Sequence, residues 1–152
     1  GAEDIEFNIR LFDKLERAIY IDRPFYHYVC HHLSITNSFN ESNIYHTVQC
    51  FKKIGIYLNE NEKKAQLMPV FYNRLLYVMV TAAISGFFNP CNKESYSIKK
   101  KKYQSYLQEP LIQEALKKAP RTGLSIQRKL ILLCIQSHWF FALDMLGKLK
   151  RI

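Results

Sequence analysis

Apolar residues recur at helical spacing in the first regular segment of the chain, residues 4–17. Ile5, Ile9, Phe12 and Leu15 share one side of this segment, and Phe7 and Leu11 lie alongside them. Glu3, Asp4 and Glu6 fall in its first turn, where the helix dipole favours negative charge. We therefore predict a short amphipathic helix that begins at the acidic pair.

The next segment has a composition typical of strands. Residues 18–22 and 24–29 are rich in Ile, Tyr, Phe and Val, with Arg23 and Pro24 at their junction. This composition predicts two short extended pieces. A polar loop follows at residues 37–42.

Helical spacing returns after this loop and continues to the end of the chain. The predicted helices cover residues 41–55, 61–85, 93–107, 110–119 and 125–150. We expect the first to end near Gly55, Pro69 to bend or interrupt the second, and Pro110 to occupy a first turn. Ser125 is the candidate cap of the last. The predicted fold is mainly α: a helical bundle with a short extended or β segment near the N-terminus.

Charge narrows the choice of partners. Lys and Arg total 22 against 13 Asp and Glu, a formal net charge of +9 that favours anionic partners. Lys148, Lys150 and Arg151, at the end of the last helix, are candidate membrane or anion contacts. That helix either packs in the core or lies on a membrane surface. Polar residues interrupt its apolar run, so we expect no membrane-spanning segment. The run at residues 99–102 favours a solvated helix face, so nucleic acid is an unlikely partner.

Cysteine and histidine give no metal-site pattern. Cys30, Cys50, Cys91 and Cys134 lack zinc-ligand spacing, and free buried thiols are expected. His27 and His31 would lie about 13 Å apart on an extended chain, too far to share an ion. We predict no metal bound by this chain.

The acidic pair is the strongest chemical candidate. A carboxylate can accept the proton of an acceptor hydroxyl during sugar transfer, although helix capping is the commoner role for acidic residues in a first turn. Residues 3–11, read as Glu-Asp-Ile-Glu-Phe-Asn-Ile-Arg-Leu, resemble the ED-x-E/D-Phe-x-x-Arg-Leu pattern of bacterial family 2 glycosyltransferases. Residues 24–29 (Pro-Phe-Tyr-His-Tyr-Val) and the Ser-Ile-Thr at 34–36 resemble a second motif of that family.

This resemblance implies a C-terminal region of a GT-A type enzyme of cell-surface polysaccharide synthesis. Asp4 would be the catalytic base and Glu3 would orient it, and the substrate site would be lined by Tyr26, Tyr28, His31 and Ser34. Residues 1–36 would be the end of the catalytic domain, and residues 37–152 a helical region packed with it as one unit. Val29 departs from the family pattern, which often has Arg there.

The resemblance also implies partners. The nucleotide-sugar donor and the divalent metal of the full-length family, Mg or Mn, would bind mainly in an N-terminal catalytic domain. The chain contains no nucleotide-binding β-α-β segment and no Asp-x-Asp motif, so we expect it to be inactive alone. The acceptor would be a glycan or a lipid-linked sugar, and we expect a cytoplasmic location, with peripheral contact to the inner membrane as an option.

A second hypothesis needs no enzyme. A basic helical module that binds a protein partner or an anionic membrane surface would use the acidic pair only as a cap. An apolar face left without its catalytic domain would also favour a homodimer.

Overall fold

The computed structural model describes residues 3–27 and 40–149. Helix accounts for 72% of them, which confirms the mainly α prediction. Seven α-helices form in these ranges: α1 (Glu3–Lys14), α2 (Glu41–Asn59), α3 (Lys64–Thr81), α4 (Tyr96–Leu107), α5 (Pro110–Lys118), α6 (Ile126–Gln136) and α7 (Phe140–Leu149). A π-helical turn, Ala82–Phe87, continues α3 directly.

The helix ends follow the capping residues. The Asn40 side chain accepts a hydrogen bond from the Ser42 backbone N–H, and Ser125 accepts one from the backbone N–H of Arg128, which confirms the predicted cap. Pro110 lies in the first turn of α5, also as predicted. Pro69 lies inside α3 without interrupting it.

The short extended segment near the N-terminus is not seen. Residues 15–27 continue from α1 as irregular chain, and the described residues form no strand. The backbone N–H of Arg23 donates to the Ile21 carbonyl at 2.9 Å, a local turn contact. A strand needs a neighbouring strand to pair its backbone groups, which local composition does not supply. Residues 28–29, the end of the second predicted piece, lie outside the described ranges.

Two predicted helix boundaries were wrong. α2 continues through Gly55. This glycine lies close to α3, since a Cβ there would be 3.1 Å from Cζ of Phe71. The last predicted helix divides into α6 and α7 at His138, whose φ of 57° is left-handed. The N–H groups of His138 and Trp139 bond back to the carbonyls of Ile135 and Cys134, which is the hydrogen-bond pattern of a Schellman helix end.

α3 and its π-helical turn lie at the centre of the bundle. α2, α5 and α6 pack on α3, whereas α4 and α7 pack on the π-helical turn, and α1 packs on α2. The segment Lys64–Phe87 is 24 residues long with a mean hydropathy of 1.4, enough by length and composition to cross a bilayer, contrary to the expectation that no segment would qualify. Half of its apolar window is buried inside the bundle, as in a core helix.

Aromatic rings fill the core next to the π-helical turn. Tyr103 is fully buried with its ring centroid 5.5 Å from those of Phe87 and Phe88 and 5.8 Å from those of Tyr106 and Phe140. The Tyr103 hydroxyl donates to the Met79 carbonyl at 3.3 Å. The wider π-helical turn ends where two consecutive rings, Phe87 and Phe88, are both buried. These five rings, Phe87, Phe88, Tyr103, Tyr106 and Phe140, are called the aromatic core below.

Gly147 brings the backbone of α7 against this core. A Cβ at Gly147 would lie 2.1 Å from the backbone oxygen of Phe88, a contact that no rotamer change relieves. We predict that Gly147→Ala destabilises the fold by about 1–3 kcal/mol through overpacking, despite the roughly 1 kcal/mol that Ala gains in a helix.

Urea unfolding followed by circular dichroism measures this change, with Gly55→Ala as the matched control. The control meets only the ring of Phe71, which can shift, so its free energy of unfolding should stay within about 1 kcal/mol of the parent. Equal effects of the two substitutions would contradict the close approach of α7.

Candidate functional site

Glu3 and Asp4 lie in the first turn of α1, and both are exposed. A hydrogen bond from its own backbone N–H lowers the pKa of Glu3 from its ordinary value. The positive end of the helix dipole also favours the ionised carboxylate at this position. The acidic pair therefore combines a capping environment with access from solvent.

α1 is held on the bundle by its inner side. Ile5 and Ile9 are partly buried against the hydrophobic core. At the other end of the helix, the Asp13 carboxylate accepts hydrogen bonds from the Tyr57 hydroxyl at 2.5 Å and from Nδ2 of Asn61 at 3.1 Å. These bonds connect α1 to α2 and its C-terminal turn, so the acidic pair begins a helix with a fixed position.

The Asp13 bonds also change the ionisation of both partners. The hydrogen bond from Tyr57, with that from Asn61, lowers the pKa of Asp13, and the same bond raises the pKa of the Tyr57 hydroxyl. Arg10 lies 5.3 Å from the centroid of the Tyr57 ring and pairs with Glu6 at 2.9 Å. A charged and aromatic contact therefore supports the apolar one.

The outer side of α1 is apolar and exposed. Phe7 is 65% exposed and Phe12 63%, and Leu11 and Leu15 lie on the surface with them. The irregular chain that follows has further exposed apolar side chains: Ile19, Tyr20, Ile21, Phe25 and Tyr26. A surface of this kind marks an interaction site in soluble proteins. We call the exposed apolar side chains of residues 7–26 the N-terminal apolar surface.

The structure places only some of the predicted site residues. Tyr26 is 80% exposed in the irregular segment, and its position beside Asp4 in a substrate site stays a prediction. Tyr28, His31 and Ser34 lie outside the described residues. Lys148 is exposed at the end of α7 and pairs with Asp144 at 2.7 Å, whereas Lys150 and Arg151 lie outside the described ranges.

The lysine run of α4 is less solvated than expected. Lys99 is buried, 3.8 Å from the equally buried Asp144 on α7, and Lys102 donates to Glu41 and Glu94 at 2.6 Å each. The hydrogen bond to Glu41, with that to Glu94, raises the pKa of Lys102. The sequence held a signal for Lys99, because it stands four residues before Tyr103 and so shares the core side of α4.

No metal centre is seen among the residues that the structure describes. Across residues 3–27 and 40–149, no group of three or more His, Cys, Asp or Glu side chains is placed to hold a metal ion. Within the same ranges Cys50, Cys91 and Cys134 are free thiols; we expected such thiols to be buried, and of these three only Cys50 is.

Comparisons with protein-family models, curated proteins and solved structures give no match to this chain.

The Asp13 contacts predict an acid-sensitive attachment of α1. Because folding lowers the pKa of Asp13, its stabilising contribution is complete above the ordinary value of 3.8 and is lost as the pH falls through the lower folded value. We expect amide hydrogen exchange in α1 to accelerate relative to α2 below about pH 4.

Exchange measured by mass spectrometry on Asp13→Asn separates this effect from general acid unfolding. The variant should exchange faster in α1 at neutral pH and lose the acid-dependent difference between α1 and α2. Asp22→Asn is the control, because the Asp22 carboxylate accepts a hydrogen bond from the nearby Tyr20 hydroxyl, at 3.3 Å, and does not attach α1 to α2. An unchanged pH dependence in Asp13→Asn would show that other groups attach α1.

Proposed function

We propose that this chain is the helical C-terminal region of a family 2 glycosyltransferase-like protein. The complete protein would transfer a sugar from a nucleotide-sugar donor to an acceptor in cell-surface polysaccharide synthesis. The sequence pattern of residues 3–11 is the basis of the proposal. The structural observation that supports it is the exposed acidic pair at the start of an anchored helix.

Asp4 is the proposed general base. In an inverting transfer, its carboxylate takes the proton of the acceptor hydroxyl as the hydroxyl oxygen bonds to the anomeric carbon. The bond from that carbon to the donor phosphate breaks on the opposite side, and the electron pair leaves with the nucleoside diphosphate. Asp4 is exposed, and an acceptor hydroxyl can therefore approach its carboxylate from solvent.

Glu3 is the proposed positioning residue. The hydrogen bond from its own backbone N–H lowers the pKa of Glu3 and so favours its ionised form. A fixed negative charge beside Asp4 can orient the acceptor hydroxyl. The anchoring of α1 through Asp13 matters here, since a misplaced base loses much of its effect.

The N-terminal apolar surface fits a docking site for the nucleotide-binding domain. Its exposed rings continue directly from the helix that begins with the acidic pair, so a domain that covers them would bring its donor site near Asp4. The divalent metal that the resemblance implies would bind mainly in that domain, so we assign this chain no metal-dependent step.

A second candidate function is a helical module that binds a protein partner without catalysis. The same surface favours it, because Ile19, Tyr20 and Phe25 are more than three quarters exposed. The two functions differ in what Asp4 does. Only the first requires its carboxylate for turnover.

We predict that Asp4→Asn, made in the protein encoded by the complete gene, lowers kcat about 10²–10⁴-fold, the usual contribution of a general base. Release of nucleoside diphosphate from uridine and guanosine diphosphate sugars, with membranes of the source cells as acceptor, measures turnover. The change should leave thermal unfolding nearly unchanged, because Asp4 is exposed.

Asp22→Asn is the matched control, an exposed aspartate in the same N-terminal region, and it should retain parental turnover. Glu3→Gln should either raise KM or lower kcat, and any fall in kcat should be smaller than that caused by Asp4→Asn. Parental activity in Asp4→Asn, or absence of turnover with every donor in the parent protein, would remove the catalytic role and favour the binding module.

A further inference from the structure

α6 and α7 each carry an apolar stripe on the side that faces away from the core. The exposed members are Ile126, Leu130 and Leu133 on α6, and Phe141, Met145 and Leu149 on α7. Within each helix they are three or four residues apart, which places them on one side. Trp139, 65% exposed, lies in the turn between the two helices.

The opposite sides of both helices pack into the core. Leu132 and Ile135 of α6 and Phe140 and Leu143 of α7 are buried. The packing of these inner residues fixes which side of each helix is outward. The apolar stripes are therefore a surface of the folded bundle, and core packing does not account for them.

The charge around the stripes has one sign. From residue 121 to the end, the sequence contains six basic residues and one acidic residue. The acidic one, Asp144, is buried and paired with Lys148 and Lys99, so it adds no exposed negative charge. Lys129 is exposed on α6 and Lys148 on α7.

We propose that the adjacent helices α6 and α7 dock on the surface of an anionic lipid bilayer. The apolar stripes would enter the boundary between headgroups and acyl chains, and the lysines would meet the lipid phosphates. Trp139 suits this depth, since its ring is apolar and its indole N–H can bond to headgroups. This inference is independent of the proposed sugar transfer.

Charge complementarity selects the lipid surface over other occupants. Two copies of the chain that met through these stripes would bring like charges together, which disfavours a dimer. A nucleic acid would satisfy the lysines but leave the leucines and Phe141 in water. An anionic lipid surface with an apolar interior satisfies both features.

The test uses Trp139, the only tryptophan of the chain, as its own probe. The full chain is titrated with vesicles of equal parts phosphatidylglycerol and phosphatidylcholine, and with vesicles of phosphatidylcholine alone. We expect Trp139 emission to shift to shorter wavelength and the chain to sediment with the anionic vesicles. Binding should weaken from about 0.1 M to about 1 M salt, as the Debye length falls from about 10 Å to about 3 Å.

Matched variants locate the surface. Leu130→Gln combined with Leu133→Gln should lower partitioning at least about ten-fold, whereas Ile56→Gln, an equally exposed apolar residue on α2, should leave it unchanged. Lys129→Gln should lower it about five-fold, and Lys53→Gln, an exposed lysine on α2, much less. Circular dichroism should show the parental helix content in all four.

Several results would overturn the proposal. Equal partitioning to both kinds of vesicle would remove the anionic requirement, and equal losses in the α6 and α2 variants would remove the assigned surface. A shift in Trp139 emission that depends on protein concentration alone, with a dimer mass in light scattering, would mean that a second copy covers the stripes. If Trp139 emission changed neither with vesicles nor with protein concentration, the lipid surface would be excluded and a protein partner would be the remaining occupant of the stripes.

Discussion

The packing of the aromatic core around Tyr103 is the contact on which the rest of the structure depends. Phe87 and Phe88 enter it from the π-helical turn, Tyr103 and Tyr106 from α4, and Phe140 from α7. Offset and edge-to-face rings of this kind add stabilisation beyond the area they bury. Because helices that are distant in sequence contribute to one cluster, the cluster fixes both the outward side of α7 and the path of α3. The close approach of Gly147 to Phe88 is a direct result.

The two candidate interaction surfaces lie on elements that this core positions differently. α7 contributes Phe140 to the aromatic core itself, so the core directly sets which side of α7 faces outward. α1 is one step further away, because it contacts α2 and depends on the Asp13 bonds for its orientation. A catalytic carboxylate on α1 would therefore gain its accuracy from a peripheral polar contact. Covering the N-terminal apolar surface with a further domain would strengthen that attachment.

Helix location was largely predictable from sequence, and helix boundaries were less so. The apolar spacing, Pro110 and Ser125 are local signals, and they identified elements that the structure contains. The predicted end at Gly55 was wrong because the close contact of this glycine with α3 depends on a neighbour that the local pattern does not show. The break at His138 was missed because a left-handed residue in a Schellman turn has no such local signal either. Lys99 was assigned to a solvated run, although its spacing from Tyr103 indicated the core side. Its partner Asp144 is 45 positions further along the chain (144 − 99).

The candidate site shows the same division. The acidic pair and its place at a helix start could be predicted from the sequence, since both are local. Its anchor could not, because Asp13 and Tyr57 are 44 positions apart and neither has an unusual local pattern. The substrate roles of Tyr26, Tyr28, His31 and Ser34 come from the family resemblance alone and remain predictions. What the structure adds is the exposure of Asp4 and the hydrogen bonds of Asp13 that attach its helix to α2 and the following turn.

The central claim is that Asp4 is the base of a glycosyltransferase whose donor site lies in another segment of the same protein. Sequencing the source gene upstream of the segment that encodes this chain tests it most directly. We predict an in-frame segment about one domain in length, on the order of 100–150 residues, with alternating strands and helices and an Asp-x-Asp motif. A start codon at that position, or an upstream segment without those features, would contradict the claim.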